Sequence, residues 1–156
     1  MIGPNLVLPG HGFSSSRAFT GLGFSDDNSV MLSPEDHRSL CGPSMTRMGE
    51  GHGGFAFHSC GNWSRKAEAL CTLPGLRAVD AAFTSRTDPD PNPAAPFRDS
   101  FAGRGISVNA RMVGSAEEAA SAAAELAEPG MKLIAVTYCS GSAEQKRAYE
   151  AIHAIG

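Results

Sequence analysis

The sequence predicts an α/β chain, a parallel sheet built from about five strand–helix units. Three observations predict it. Short, nearly continuous apolar runs recur along the chain, each is followed by a helix-start signal, and the polar and nucleophilic residues collect where the runs end. Strands covered on both faces read as unbroken apolar runs, whereas strands of an open antiparallel sheet alternate. With 156 residues and 42% apolar content, residues 1–156 suit a single domain with one core.

The elements follow in order. Residues 1–20 are rich in glycine and small polar residues and read as a loop-rich opening segment. The first run is Leu22-Gly23-Phe24, ending in Ser25-Asp26-Asp27. Ser33-Pro34-Glu35-Asp36 then opens a helix. Ser33 suits the N-cap, Pro34 the first helical position, and the acidic pair the positive end of the helix dipole. This helix is expected to run to about Gly49, with Leu40, Met45 and Met48 facing inward. The second run is Phe55-Ala56-Phe57-His58, and a helix follows over 64–72 until Pro74-Gly75 stops it. The third run, Leu76-Arg77-Ala78-Val79, ends at Asp80. It leads into 84–105, where proline is too dense for a central strand or a sustained helix, so a loop is expected with one short helical turn near 97–101. The fourth run is Ile106-Ser107-Val108-Asn109-Ala110. Ser115-Ala116-Glu117-Glu118 has the spacing of a capping box and opens a helix that ends at Pro129-Gly130. The fifth run, 133–139, precedes a second such signature at Ser142-Ala143-Glu144-Gln145, with Tyr149 and Ile152 expected to face inward.

Two architectures fit this order. One is an open, doubly wound sheet. The other is part of a barrel of eight strand–helix units, which complete needs about 200–250 residues. A partial barrel leaves two strand edges unpaired, so self-association through those edges is expected.

Composition removes several function classes. The formal net charge of −3 supplies no field that would draw nucleic acid or an anionic membrane. No apolar run approaches the roughly 20 residues that span a bilayer. The start of the chain lacks the basic and apolar regions of a signal peptide, so a cytoplasmic protein is expected. Its four cysteines, Cys41, Cys60, Cys71 and Cys139, then read as reduced thiols.

The residues that carry chemistry share one position: they end strands. Asp26 and Asp27 follow the first, His58, Cys60 and Asn62 the second, Asp80 the third, Asn109 and Arg111 the fourth, Cys139 the fifth. In parallel α/β folds the carboxyl ends of strands meet on one face, and sites form there. The sharpest motif is His58-Ser59-Cys60-Gly61. Residues i and i+2 of a strand point the same way, so an imidazole and a thiolate can share one point, and Gly61 lets the backbone turn away. Cys139 offers a third soft ligand. A His/Cys/Cys set suits zinc, and three ligands leave a fourth position for substrate. Zn²⁺ with two thiolates and neutral imidazole is formally neutral, and it can hold a substrate thiol as the nucleophilic thiolate. Asp26, Asp27 and Asp80 are the candidate catalytic carboxylates. Asp26 and Asp27 also suit plain turn or cap roles, and Asp80 can instead orient His58 from behind.

The other candidates have simpler readings. Cys41 and Cys71 sit in helices among apolar residues and read as inert thiols. His11 and His52 lie in glycine-rich loops, and His37 and His153 read as helix-surface residues. Trp63 reads as local packing beside the motif.

The segment from Ser25 to Glu35, then His58-Ser59-Cys60-Gly61-Asn62, then Tyr138-Cys139, resembles the uroporphyrinogen decarboxylase superfamily. Within it the chain looks most like the cobalamin-dependent methyltransferase branch. The resemblance runs from about Gly21 onward and corresponds to the C-terminal part of such a barrel. It implies a partial (β/α)8 TIM barrel without about three N-terminal units. It implies Zn²⁺ on His58, Cys60 and Cys139, activation of a small-molecule thiol, and a methylcorrinoid carried by a partner protein as methyl donor. Two other functions remain open. Porphyrinogen decarboxylation needs no metal, but it draws on an arginine-rich N-terminal segment that this sequence does not show. A truncated chain could also persist as an inactive remnant or interaction module.

Overall fold

In a computed structural model, residues 21–155 are described; the loop-rich segment expected over 1–20 and His11 lie outside them. The chain forms a five-stranded sheet in which every pairing is parallel and the spatial order is the chain order. The strands are β1 (Leu22–Ser25), β2 (Phe55–His58), β3 (Leu76–Ala82), β4 (Ser107–Arg111) and β5 (Lys132–Val136). Six α-helices alternate with them: α1 (Pro34–Leu40), α2 (Gly42–Glu50), α3 (Ala67–Leu70), α4 (Ala94–Phe101), α5 (Ala116–Leu126) and α6 (Ser142–His153). The uninterrupted order 1-2-3-4-5 decides between the two architectures. Parallel crossovers are right-handed, so stepping always in one direction puts every helix on the same face. A doubly wound sheet must reverse direction once. The fold is therefore α/β and barrel-like, part of a singly wound (β/α) barrel.

The two faces of the sheet differ in chemistry. Phe55 and Phe57, Val79 and Ala81, Val108 and Ala110, Leu133 and Ala135 join the helices in one hydrophobic core. The alternate positions carry small and polar side chains. Ala56 and Ala78 form a separate small contact, and next to them one rung of the ladder reads Ser25, His58, Asp80, Asn109, Ile134. In a closed barrel this second face is the interior. Under the sheet the aromatic rings of Phe57, Trp63, Phe97 and Phe101 pack in sequence, with centroids 5.3, 4.7 and 5.7 Å apart. Trp63 is thus a core residue, as its local-packing reading requires.

Several elements differ from expectation, each for a local reason. The helix expected over 33–49 is two helices. Pro43 has no amide to donate and its ring disfavours continuing the preceding turn, so the chain breaks at Cys41 and restarts at Gly42. The break turns Met45 inward but leaves Leu40 68% and Met48 51% exposed. It also buries His37, expected on the surface, against Phe57 with ring centroids 5.5 Å apart. The helix expected over 64–72 is a 3-10 turn, Ser64–Lys66, running into the short α3. In the proline-rich loop, α4 begins at Ala94. Pro93 is its N-cap and Pro96 falls in its first turn, where an amide has no helical acceptor to lose. Tyr149 is exposed, while Ile152 packs against the core. The capping box at Ser115 and Glu118 forms, with bonds of 2.7 and 3.2 Å. At α6 the cap is Gly141, and Glu144 instead accepts from the amide and hydroxyl of Ser140.

Candidate metal centre

β2 ends at His58, and the chain leaves it through Ser59, Cys60 and Gly61. Gly61 has φ of +71°, which an L side chain rarely adopts, so the sharp exit after Cys60 depends on glycine. Two segments clamp the exit. The amide of Cys60 donates to Asp27 Oδ1 at 2.8 Å, and the amide of Gly61 donates to Asp88 Oδ2 at 2.8 Å. Asn92 accepts from the Trp63 amide and donates to the carbonyls of Gly61 and Ala82. The proline-rich loop thus holds the motif from one side while the turn after β1 holds it from the other.

Three ligand atoms converge at this exit. His58 Nε2 lies 3.7 Å from Cys60 Sγ and 3.5 Å from Asp27 Oδ1, and the three atoms are all within 4.8 Å of one another. Zinc bonds of about 2.3 Å to sulfur and about 2.0–2.2 Å to nitrogen or oxygen set tetrahedral edges of roughly 3.4–3.6 Å. The two distances from His58, 3.5 and 3.7 Å, lie close to those edges, and the Cys60–Asp27 separation is within 4.8 Å. Asp27 is half exposed and Cys60 partly exposed, so the centre has an open side, while His58 and Asp80 are fully buried behind it.

Asp80 fixes the imidazole. Its Oδ1 lies 2.8 Å from His58 Nδ1 and accepts from Arg111 Nε at 2.7 Å. A carboxylate only accepts, so Nδ1 carries the proton, and in the neutral imidazole the lone pair is then on Nε2, the atom facing Cys60 and Asp27. Carboxylate–imidazole–metal chains use this same arrangement. Register explains the contact: His58 and Asp80 are direct partners across the β2–β3 ladder. Asp80, expected from the sequence either as a catalytic carboxylate or as a group behind His58, contacts the His58 ring directly. Burial pushes the Cys60 thiol above its ordinary pKa, and the Asp27 charge adds to it, while Arg111 acts in the opposite direction.

The other sequence candidates fall elsewhere. The structure does not bring Cys139 to His58 and Cys60. It lines a cleft of about 580 Å³ between β5 and α6, with Leu133, Ala135 and Tyr149. β5 is three strands from β2, roughly 14 Å at about 4.8 Å per strand, and the loop beyond it turns toward the helix side. Asp27, not Cys139, is the third group within 4.8 Å of His58 and Cys60. Asp26, its neighbour, points the other way and forms a second group with His37 and Cys41. There Asp26 Oδ2 lies 3.2 Å from His37 Nε2. Burial holds the His37 pKa below its ordinary value, the Asp26 contact working against that. Burial also raises the Cys41 thiol, followed by the charge of Asp26. Cys71 is buried and His52 and His153 are exposed. Sequence reasoning missed Asp88 and Asn92, whose only signal was the Asx-rich composition of the loop.

No family model, curated protein or solved structure matches this chain.

Proposed function

We propose that the chain binds zinc through Asp27, His58 and Cys60 and uses it to activate a small-molecule thiol for methyl transfer. The observation that carries this reading is the convergence of three different ligand atoms within 4.8 Å of one another, with Asp80 held against Nδ1 on the far side of the imidazole. A thiolate, a carboxylate and a neutral imidazole balance the charge of Zn²⁺, as two thiolates and an imidazole would. Bound there, the ion supplies Lewis acidity that lowers the pKa of a substrate thiol toward neutrality.

The residues of the chain have distinct tasks. Asp80 and Arg111 hold His58 from behind. The Cys60 amide fixes the Asp27 carboxylate, and Asp88 fixes the turn at Gly61. The resemblance to the corrinoid methyltransferases suggests the donor, a methylcorrinoid on a partner protein. In that reaction a sulfur–carbon bond forms, the methyl–corrinoid bond leaves its electron pair on the corrinoid, and the thiol proton is released.

Metal analysis of the purified full chain tests the reading. One zinc per chain is expected, lost in Cys60→Ser and Asp27→Asn and retained in Cys139→Ser. Retention in Cys60→Ser would overturn the centre, and loss in Cys139→Ser would overturn the assignment of Asp27 as the third ligand.

A further inference from the structure

The two outer strands of the sheet lack what the three inner strands have. Among the described residues β1 pairs only with β2, and β5 only with β4. All of β2 and nearly all of β3 and β4 is buried, whereas Leu22, Gly23 and Phe24 of β1 and 133–136 of β5 are partly exposed. Backbone groups point to alternate sides along a strand. The amides of Leu22 and Asp26 donate to Gly54 and His58, toward β2, so Gly23 and Ser25 present theirs to the free edge. The Val136 carbonyl accepts from the Met112 amide, toward β4, so Leu133 and Ala135 present theirs to the other free edge. Folded proteins blunt such edges with charged residues, proline or bulges. Neither strand has a proline or a bulge, and the only charge in either is Lys132, at the start of β5.

We infer that the free edge of β5 pairs in parallel with β1 of a second copy of this chain, and that two such seams close the pair into one ring of strands. Each edge supplies what the other lacks. All strands run the same way with the helices on one face, so β1 of a second copy extends the order 1-2-3-4-5 by one step and keeps its own helices on that face. On the helix side of β5 a cleft of about 580 Å³ lies against α6, lined by Leu133, Ala135, Ala148 and Ile152. The helix-side residues of β1 are Leu22 and Phe24, partly exposed at the far end of the same core. Seated beside β5, they continue the apolar row that runs through Val108 and Ala110 to Leu133 and Ala135, and they cover the cleft. Antiparallel pairing of two β5 edges would join two copies but leave both β1 edges open. The seam joins unlike edges, so it either closes a ring or grows a filament. Five strands are too few to close, since small barrels fill their interior at about eight. Two copies supply twice five. A third would widen the lumen beyond what small interior residues such as Ala56 and Ala78 can fill.

Light scattering on the full chain reads the assembly, and a mass of twice 16.2 kDa is expected. Proline at an outward-facing amide removes a donor from the seam and no bond from the sheet. Ala135→Pro and Gly23→Pro act on opposite edges. Each is expected to halve the mass while keeping the far-ultraviolet circular dichroism of the wild type. In the wild type the amides of Gly23, Ser25, Leu133 and Ala135 are expected to be protected from hydrogen exchange, a readout that needs no variant. A single-chain mass, a mass that keeps growing with concentration, a pair that survives either proline, or rapid exchange of those four amides would overturn the inference. None of these readouts involves metal, so the seam and the proposed zinc centre stand or fall separately.

Discussion

Two groups in this molecule have the same ingredients and differ in what stands behind them. Asp27, His58 and Cys60 form one, and Asp26, His37 and Cys41 the other, with the two aspartates adjacent in the chain. His58 is held through Nδ1 by the buried Asp80 from outside its group, while its Nε2 faces Asp27 at 3.5 Å and Cys60 at 3.7 Å. His37 makes its ion pair through Nε2 with Asp26 of its own group, at 3.2 Å. The first group is a centre supported from outside itself. The second is an internal pair that ties α1 to the end of β1. A ligand cluster therefore needs more than His, Cys and Asp within reach. It needs a partner on the far side of the imidazole.

The sharpest way to break this comparison is to remove the two carboxylates in turn. Asp80→Ala strands the buried Arg111 charge and is expected to cost about 3–5 kcal/mol in urea unfolding. Asp26→Ala removes a partly exposed contact and is expected to cost about 1 kcal/mol. Equal costs would erase the distinction. A gentler change keeps the shape: Asp80→Asn retains a hydrogen-bonding group but not the charge. Metal affinity is expected to fall roughly 10–100-fold by competition with a chelator, as for other groups behind a metal-bound imidazole.

A third prediction concerns pH and the second group. The folded-state pKa of His37 is lowered by burial from the ordinary 6.5. The unfolded chain therefore takes up the proton first, and the associated stability is fully present above about 6.5 and declines as pH falls below it. Tm is expected to drop between pH 7 and 5 in the wild type and to drop less in His37→Asn. The smallest effect is expected at the clamp. Asp88→Ala removes the hydrogen bonds its carboxylate accepts from the Gly61 and Asp90 amides, costs about 1 kcal/mol, and weakens metal binding without touching the His37 group.

How much of this was legible in the sequence follows from what is local. The strand–helix alternation, the cap at Ser33, the capping box at Ser115 and the shared face of His58 and Cys60 are encoded within a few residues. So was the possible role of Asp80, which follows the apolar run Leu76–Val79, although β3 continues past it to Ala82. What was not legible depends on distances between strands. Strand ends meet on one rim, but the rim is wide, and nothing near Cys139 states that its strand lies three places from β2. The choice between Asp26 and Asp27 depends on the turn after β1, which sends consecutive side chains to different groups. The burial of His37 follows from the helix break at Pro43, a signal that a reading of helical periodicity passes over.

The most direct test of the central claim is the absorption spectrum of the chain loaded with cobalt(II) in place of zinc. A centre built on Asp27, His58 and Cys60 predicts the intense visible bands of a tetrahedral site. It also predicts a thiolate-to-cobalt charge-transfer band that disappears in Cys60→Ser and persists in Cys41→Ser and Cys139→Ser. A charge-transfer band that survives Cys60→Ser, or that requires Cys41, would contradict it.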